Sequence, residues 1–251
     1  MTRIAHASGD ENGNAKGGQA GDQKDEIGIR AWYDRKSWEV CLVPTDPETA
    51  AVAVQLAIQI AQDNSFGYDQ SERWTGYNAI LAAGGDIANA EASEFDCSSF
   101  VDTCYILAGL KVERGYTGNA ERRYLATGKF VAHREPEYLT SPDYAPKGSL
   151  YLTAGKHIAI LIDDGVKVET TTVTPDPEVS YVEIIGQVNV RNLPGRTSSG
   201  KLRGKVLYVA EDEKLEYLGK DFRTGWYRVR GHGVVGFVSN EIPRYAKLVI
   251  V

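Results

Sequence analysis

The stretch EFDCSSFVDTCYILAGL, residues 94–110, carries start and stop signals typical of an α-helix. Asp96 is a favourable N-cap, because its carboxylate can accept hydrogen bonds from the free N–H groups of Ser98 or Ser99. Gly109 suits the position just past the last turn, where the chain often adopts a left-handed conformation. The stretch therefore predicts a helix that begins directly after Asp96.

Apolar residues in this stretch recur at helical spacing. Phe95 and Phe100 stand at the two positions of a hydrophobic staple, one before the N-cap and one in the second turn. One apolar stripe follows along the predicted helix: Phe100, Val101, Cys104, Leu107 and Ala108. Cys104 is therefore expected in the core.

Cys97 lies in the first turn of this helix, where unpaired N–H groups and partial positive charge stabilise a thiolate. The helix end supplies roughly 0.3–2 kcal/mol, and one pKa unit corresponds to about 1.4 kcal/mol. This amounts to about one unit, so a reactive thiolate also needs a cationic partner, usually histidine. From these residues alone Cys97 is either a nucleophile or a buried structural cysteine.

The chain has three cysteines, Cys41, Cys97 and Cys104. It has no CxxC pair and no His/Cys spacing of a zinc site, so neither a disulfide framework nor a structural metal is expected. Cys41 alternates with Val43 in a short apolar run and is expected in the core.

Four histidines are candidates for the partner of Cys97. His6 lies in the polar start of the chain, His133 in a charged loop and His232 in a turn. His157 opens HIAILI, the most apolar predicted strand of the first 180 residues. A histidine at a strand edge is often structural, but His157 is the best placed of the four.

A hairpin after His157 would supply a residue that orients its ring. If DDG at 163–165 is a three-residue loop, Thr171 faces His157 and Glu169 lies diagonally on the same face. A two-residue turn would place Thr170 and Thr172 there instead. Glu169 is the predicted orienting residue, and Thr171 is the second choice.

Helical signals recur before and after the central stretch. Asp46 and Pro47 begin a predicted helix within residues 44–64, and further helices are predicted within 71–85 and 118–128. Strand signals occur at both ends of this region, in DEIGIRAWYDR, WEVCLVP, GSLYLT and KHIAILI. Residues 9–21 hold five glycines, which from composition alone indicates a flexible terminus.

TPDPE at 174–178 marks the predicted domain boundary. Five short strand-like runs follow it, QVNVRNLPG, KVLYVA, KLEYLGK, GWYRVRG and GVVGFVSN, and they predict a small all-β barrel. Residues 181–251 carry 12 Lys/Arg and 7 Asp/Glu, whereas residues 1–180 carry 16 and 27. The basic tail suggests an anionic surface as its partner, but no nucleic-acid-reading motif is present.

No run of 18 apolar residues indicates a membrane span, and no apolar stretch near the first residues indicates a secretory signal. Either the protein is made inside a cell and released by other means, or a signal was trimmed; we expect synthesis in the cytoplasm and action at the cell wall or outside the cell after release.

The motifs resemble those of the NlpC/P-sixty family of cell-wall cysteine peptidases. DCSSF at 96–100 matches its nucleophile motif, HIAIL at 157–161 its histidine strand, and FGYDQ at 66–70 an upstream tyrosine segment. KGSLYL stands where the family has a Gly-Asp-Leu-Val-Phe strand. The chain departs from the pattern at Ser99 for Gly and Ser149 for Asp, and with Glu169 in place of the frequent His.

The resemblance implies an α+β, papain-like catalytic domain over residues 1–175. It implies that Cys97 and His157 are catalytic, with Glu169 third, and that Tyr68 contacts substrate or oxyanion. The neighbours of Cys97 in the motif are expected at the substrate as well: Asp96, Ser98 and Ser99. No metal or cofactor is implied.

The tail, residues 181–251, resembles a bacterial SH3-like wall-binding domain. The opening residues are similar to the start of phage-type lysins of the same peptidase family, which implies that the arm packs on the catalytic domain. The function implied is a peptidoglycan hydrolase that cleaves a stem-peptide amide at the cell wall. The alternatives are an N-acetylmuramoyl-L-alanine amidase, a transglutaminase-like acyl transferase and an inert wall-binding protein.

Overall fold

The computed structural model describes residues 1–21, 25–34, 38–168, 181–192, 194–196, 200–202, 204–220, 226–239 and 246–249. The chain divides into two compact units. The first contains Met1–Ala83 and Ile87–Glu169, and the second contains Gly84–Asp86 and Thr170–Val251.

The first unit contains eight described strands. They are β1 (Arg3–Ala7), β2 (Ile27–Ala31), β3 (Val40–Pro44), β4 (Phe66–Tyr68), β5 (Ser93–Phe95), β6 (Phe130–His133), β7 (Leu150–Thr153) and β8 (His157–Leu161). Six of them form a fully antiparallel sheet in the order β2-β1-β8-β7-β3-β6, and β4 and β5 form a separate parallel pair.

Five α-helices belong to the same unit: α1 (Pro47–Ala61), α2 (Thr75–Ala82), α3 (Cys97–Leu107), α4 (Thr117–Ala126) and α5 (Pro136–Leu139). A single 3-10 turn covers Ile87–Asn89. Helices α1 and α3 pack against each other and against β1 and β8. The long helix α1 begins as predicted, with Asp46 as N-cap accepting the Thr49 N–H at 3.1 Å.

Helix α3 forms for the local reasons that its sequence indicates. The Asp96 carboxylate accepts the Ser99 backbone N–H at 2.6 Å, and the Ser99 hydroxyl accepts the Asp96 N–H at 2.9 Å. The rings of Phe95 and Phe100 meet edge to face at 6.2 Å. Gly109 adopts φ +99°, and its N–H closes the helix end on Ile106 O. The predicted start, staple and end are confirmed.

The N-terminal arm forms β1, which lies between β2 and β8 in the sheet. Ile4 pairs with Leu161 and Ala5 with Ile160. Because β1 occupies this edge of β8, the predicted hairpin between β8 and the run that follows it is wrong. Residues 163–168 form no strand, and the N–H groups of Gly165 and Lys167 bond to main-chain oxygens of 143–145.

The second unit is all-β over its described residues. Its strands are β9 (Tyr181–Ile184), β10 (Gln187–Arg191), β11 (Val206–Glu211), β12 (Lys214–Lys220), β13 (Tyr227–Gly231), β14 (Val234–Val238) and β15 (Ala246–Val249). They pair in the order β11-β10-β14-β13-β12-β9-β15 around a core of Val182, Ile184, Val190, Ala210, Leu215, Val229, Val238 and Ala246. The five predicted strands of the tail are confirmed as β10 to β14.

The protein therefore combines a mixed α/β unit, built on an antiparallel sheet, with a C-terminal all-β region. Within the described residues, no helix has the length and apolar character needed to cross a membrane.

Candidate active site

Cys97 is the first residue of α3, and its side chain is buried, with 5% of the residue exposed. Its sulfur lies within hydrogen-bonding reach of two backbone N–H groups, those of Ser98 and Ile158. Ile158 is the second residue of β8 and directly follows His157. The fold thus brings the predicted nucleophile next to the strand that the predicted histidine opens.

The acidity of Cys97 differs from the expectation based on its helix position. Burial, reinforced by the Asp96 carboxylate, raises the pKa of the Cys97 thiol to about 12. The N–H groups of Ile158 and Ser98 and the Arg73 guanidinium oppose this rise without reversing it. The expected lowering by the helix end is present, but the loss of water is larger. Cys97 therefore rests as a protonated thiol.

His157 contacts a second histidine. Its Nε2 lies 2.9 Å from Nδ1 of His6, and the two rings meet edge to face at 5.1 Å. The ring of Trp38 stacks on His157 at 6.0 Å. Continuing the β1–β8 register places His6 opposite Ala159, so His6 lies on the same face as His157 as its diagonal neighbour. His6 is therefore positioned to orient the His157 ring.

His6 is buried, with 2% exposed, and burial lowers its pKa to about 3, with smaller contributions from His157 and Arg30. Among the described residues its Nε2 has no hydrogen-bond partner. His6 is neutral at ordinary pH, so it can hold an imidazole without adding a charge.

The sequence places His6 in a polar start and does not predict it as part of the site. Its strand, RIAHA, is only five residues long, and its two partners lie in segments distant along the chain. A weak signal was present, because Ile4 and His6 alternate with small alanines as in a strand. The predicted orienting residues, Glu169 and Thr171, lie outside the described residues.

A cavity of about 440 Å³ opens beside the histidine pair. His6, His157, Trp38 and Tyr68 line it, together with the loop residues 13–15. The Tyr68 hydroxyl accepts a hydrogen bond from Gln70 Nε2 at 3.1 Å. Burial raises the pKa of Tyr68 to about 12, with smaller contributions from Cys97 and Asp96, so this hydroxyl keeps its proton. Tyr68, which the sequence predicts to contact the substrate or the oxyanion, thus lines this cavity.

Three other predicted substrate contacts form hydrogen bonds with one another at the start of α3. Asp96, Ser98 and Ser99 are buried, and the Ser98 hydroxyl donates to the Asp96 carboxylate at 3.0 Å. Arg73 donates to the Ser98 hydroxyl at 2.9 Å and pairs with Asp96 at 3.2 Å. None of the three is among the described residues that line the cavity. Their contacts stabilise the helix start that carries Cys97.

The family model for endolysin-like domains (ELLD) matches residues 4–168, well over half of the chain. The chain belongs to the endolysin-like domain family. No curated protein matches it, and no solved structure matches it. Membership of the family indicates an endolysin-type enzyme that acts on the cell wall, with peptidoglycan as its substrate. The matched segment includes His6, Cys97 and His157 and ends one residue before Glu169.

Proposed function

We propose that this protein is a cysteine peptidase of the NlpC/P-sixty type, with a papain-like catalytic unit, that cleaves an amide bond in the stem peptide of peptidoglycan. The observation that carries the proposal is the position of the Cys97 sulfur. It lies at the start of α3, within reach of the backbone N–H of Ile158, the residue that directly follows His157 of the histidine pair. Nucleophile, base and orienting group are the three parts that acyl transfer needs.

In the first step, the Cys97 sulfur attacks the amide carbonyl while its proton passes to His157. The raised pKa of Cys97 favours this coupled transfer over a preformed thiolate–imidazolium pair. His157 then gives the proton to the leaving amine as the C–N bond breaks, which leaves a thioester on Cys97. A water molecule, deprotonated by His157, hydrolyses the thioester and restores the thiol.

His6 acts on His157 in this scheme as a positioning residue. His157 contacts His6 through Nε2, so Nδ1 is the nitrogen that exchanges the proton with Cys97. When His157 is protonated, its Nε2–H donates to the neutral His6 Nδ1, which spreads the positive charge and fixes the ring. Glu169 remains a predicted contributor.

The developing oxyanion has two candidate donors. The Cys97 backbone N–H lies at the free end of α3, where N–H groups lack intrahelical partners. Tyr68 lines the cavity, and its hydroxyl keeps its proton. Donors of this kind stabilise charge that appears only in the transition state.

We further propose that residues 181–251 form an SH3-like domain that holds the enzyme on the wall, with residues 1–175 as the catalytic domain. An excess of five positive charges in this tail supports binding to an anionic wall polymer. A tethered enzyme meets its substrate at a higher effective concentration.

Lysis of purified walls by Cys97→Ala tests the proposal. We expect lysis to be lost while wall binding and thermal unfolding stay near wild type. The matched control is Cys104→Ala, a buried cysteine on the same helix that the scheme does not use. Wild-type lysis by Cys97→Ala would reject the cysteine mechanism. Mass spectrometry of the products should show new peptide amino termini, whereas free lactyl ends on muramic acid would indicate the amidase.

A further inference from the structure

Lys156 lines the cavity beside the histidine pair, and the proposed chemistry does not use it. Among the described residues that line this cavity, it is the only Lys, Arg, Asp or Glu. The other lining residues carry aromatic rings, hydroxyls, amides, imidazoles or no polar group. The permanent charge of the described cavity lining is therefore a single positive one.

The Lys156 ammonium group has no counter-ion within the described part of the chain. Three lysines elsewhere in the first unit do pair with aspartates: Lys129 with Asp46, Lys147 with Asp164 and Lys167 with Asp143. An exposed lysine commonly serves solubility alone. Lys156 differs from such a residue because its side chain belongs to the wall of the cavity that holds the proposed base.

The backbone fixes Lys156 next to that base. Residues 154–156 join β7 to β8, and the strand ends Thr153 and His157 pair with each other. The Lys156 N–H donates to Thr153 O at 3.0 Å, and Gly155 adopts φ +71° in the turn. This short hairpin holds the main chain of Lys156, while its four-carbon side chain leaves the ammonium group free to meet a ligand.

The charge of Lys156 is opposite in sign to that of the region around it. Residues 1–180 carry 16 Lys/Arg and 27 Asp/Glu, so their composition favours a negative surface. Burial keeps the neighbouring His6 neutral, with a pKa of about 3, so His6 adds no charge to the cavity. A cleft lined by one sign of charge attracts ligands of the other sign. The cavity therefore suits a ligand with a negative group close to His157.

We propose that Lys156 binds a carboxylate of the stem peptide, so that the enzyme cleaves peptides with free carboxylates faster than peptides in which these groups are primary amides. The proposal rests on the proposed function and names the substrate chemistry of the same cavity. An ammonium group donates hydrogen bonds and accepts none. A carboxylate accepts such a bond between opposite charges, whereas an amide accepts it as a neutral group and more weakly. Lys156 thus determines specificity and takes no part in proton transfer.

Two synthetic stem peptides test the proposal, identical except that the carboxylates are free in one and primary amides in the other. We expect wild type to cleave the carboxylate peptide with a kcat/KM about tenfold higher, the low end for a hydrogen bond between charged groups, because solvent and salt screen an exposed lysine. Lys156→Gln should bring the two values to within about twofold of each other. Lys156→Arg keeps the positive charge and should retain the preference.

The matched control is Lys129→Gln, which removes the same charge from the same unit, outside the described lining of the cavity. It should retain the tenfold preference. Because each protein is compared on two peptides, a folding defect lowers both values and leaves their ratio unchanged.

Equilibrium binding separates this proposal from the cysteine mechanism. In calorimetric titrations, Cys97→Ala should bind the carboxylate peptide with a Kd about tenfold lower than that of the amide peptide, and Cys97→Ala/Lys156→Gln should bind both alike. That preference without cleavage by wild type would reject the peptidase and keep the Lys156 site. Cleavage of both peptides at equal kcat/KM, an undiminished preference in Lys156→Gln, or no difference in Kd would overturn the Lys156 proposal.

Discussion

The two sides of the candidate active site are held in different ways. On the cysteine side, Asp96 and Ser99 cap α3 reciprocally, and Arg73 links Asp96 to Ser98. Three of these four residues lie within two positions of Cys97 in the chain. On the histidine side, His157 depends on a contact with His6, 151 residues away.

This difference indicates that the contacts on the cysteine side mainly stabilise the fold, whereas the contact on the histidine side mainly serves the chemistry. The cysteine side rests on hydrogen bonds among Asp96, Ser98 and Ser99 and on an ion pair between Asp96 and Arg73, and contacts of this kind rigidify a site and stabilise the fold. The histidine side contains His6 Nε2, a buried atom with no partner among the described residues. Such an arrangement contributes little to stability and is explained by its effect on His157. Substitutions on the cysteine-side cap should therefore lower stability and change lysis little. Substitutions on the histidine side should slow lysis and change stability little at neutral pH.

Replacement of the base should have the largest effect. His157→Ala should reduce the rate of wall lysis by about 10²–10⁴-fold, because general acid–base catalysis typically contributes this much. The unfolding temperature should change little. His133→Ala, a half-buried histidine bonded to Glu135 at the far edge of the sheet, is the control and should lyse walls normally. Equal rates for both variants would remove His157 from the mechanism.

Acid should destabilise the first unit through His6. The pKa of His6 is about 3 in the folded protein and about 6.5 in an unfolded chain, so unfolding below pH 6.5 takes up a proton. The free energy of unfolding is therefore unaffected by His6 above pH 6.5 and falls as the pH drops towards 3, by about a few kcal/mol, because protons bind the unfolded chain more tightly. Chemical denaturation of wild type and His6→Asn between pH 3 and 8 measures this pH dependence of the free energy of unfolding. Parallel pH curves for the two proteins would contradict a buried neutral His6.

Loss of the orienting histidine should be smaller than loss of the base. His6→Ala should slow lysis roughly tenfold at neutral pH, the low end of the roughly 10–100-fold contributed by partners that orient metal-binding histidines, which make the same kind of contact. The pH profile should shift as well, because the His157 imidazolium loses its acceptor. A slower rate with an unchanged profile would instead indicate a structural effect. His6→Asn, which retains an acceptor, should recover part of the rate.

The cap should affect stability and leave the chemistry nearly unchanged. Asp96→Ala should lower the free energy of unfolding by about 1 kcal/mol, the usual cost of losing an N-cap. Asp96→Asn retains a capping oxygen and should lose less. Lysis per folded molecule should stay within a few-fold of wild type for both. A loss comparable to that of His157→Ala would show that Asp96 contacts the substrate, as its motif suggested.

The sequence predicts features that depend on residues close together in the chain, and it misses features that depend on residues far apart. The start, staple and end of α3 were predicted because Asp96, Phe95, Phe100 and Gly109 act within one helix. The strand β1 was missed because its pairing with β8 spans more than 150 residues. The hairpin behind the Glu169 prediction had plausible turn chemistry, but β1 occupies the edge that it required.

The acidity of Cys97 shows the same limit. The helix position is visible in the sequence, and its effect on the thiol has the expected direction. Burial depends on how α3 packs against β8, which no local pattern reveals, and it is the larger contribution to the pKa of Cys97. Reactivity inferred from a motif alone therefore omitted the dominant cause.

The central claim, a covalent intermediate on Cys97, is tested most directly by acid-quenching the enzyme during wall digestion and mapping its peptides by mass spectrometry. We predict a hydroxylamine-labile acyl group from the stem peptide on the fragment that contains Cys97, and none on Cys41 or Cys104. Digestion at the wild-type rate by Cys97→Ala, or an acyl group on a different residue, would contradict the account.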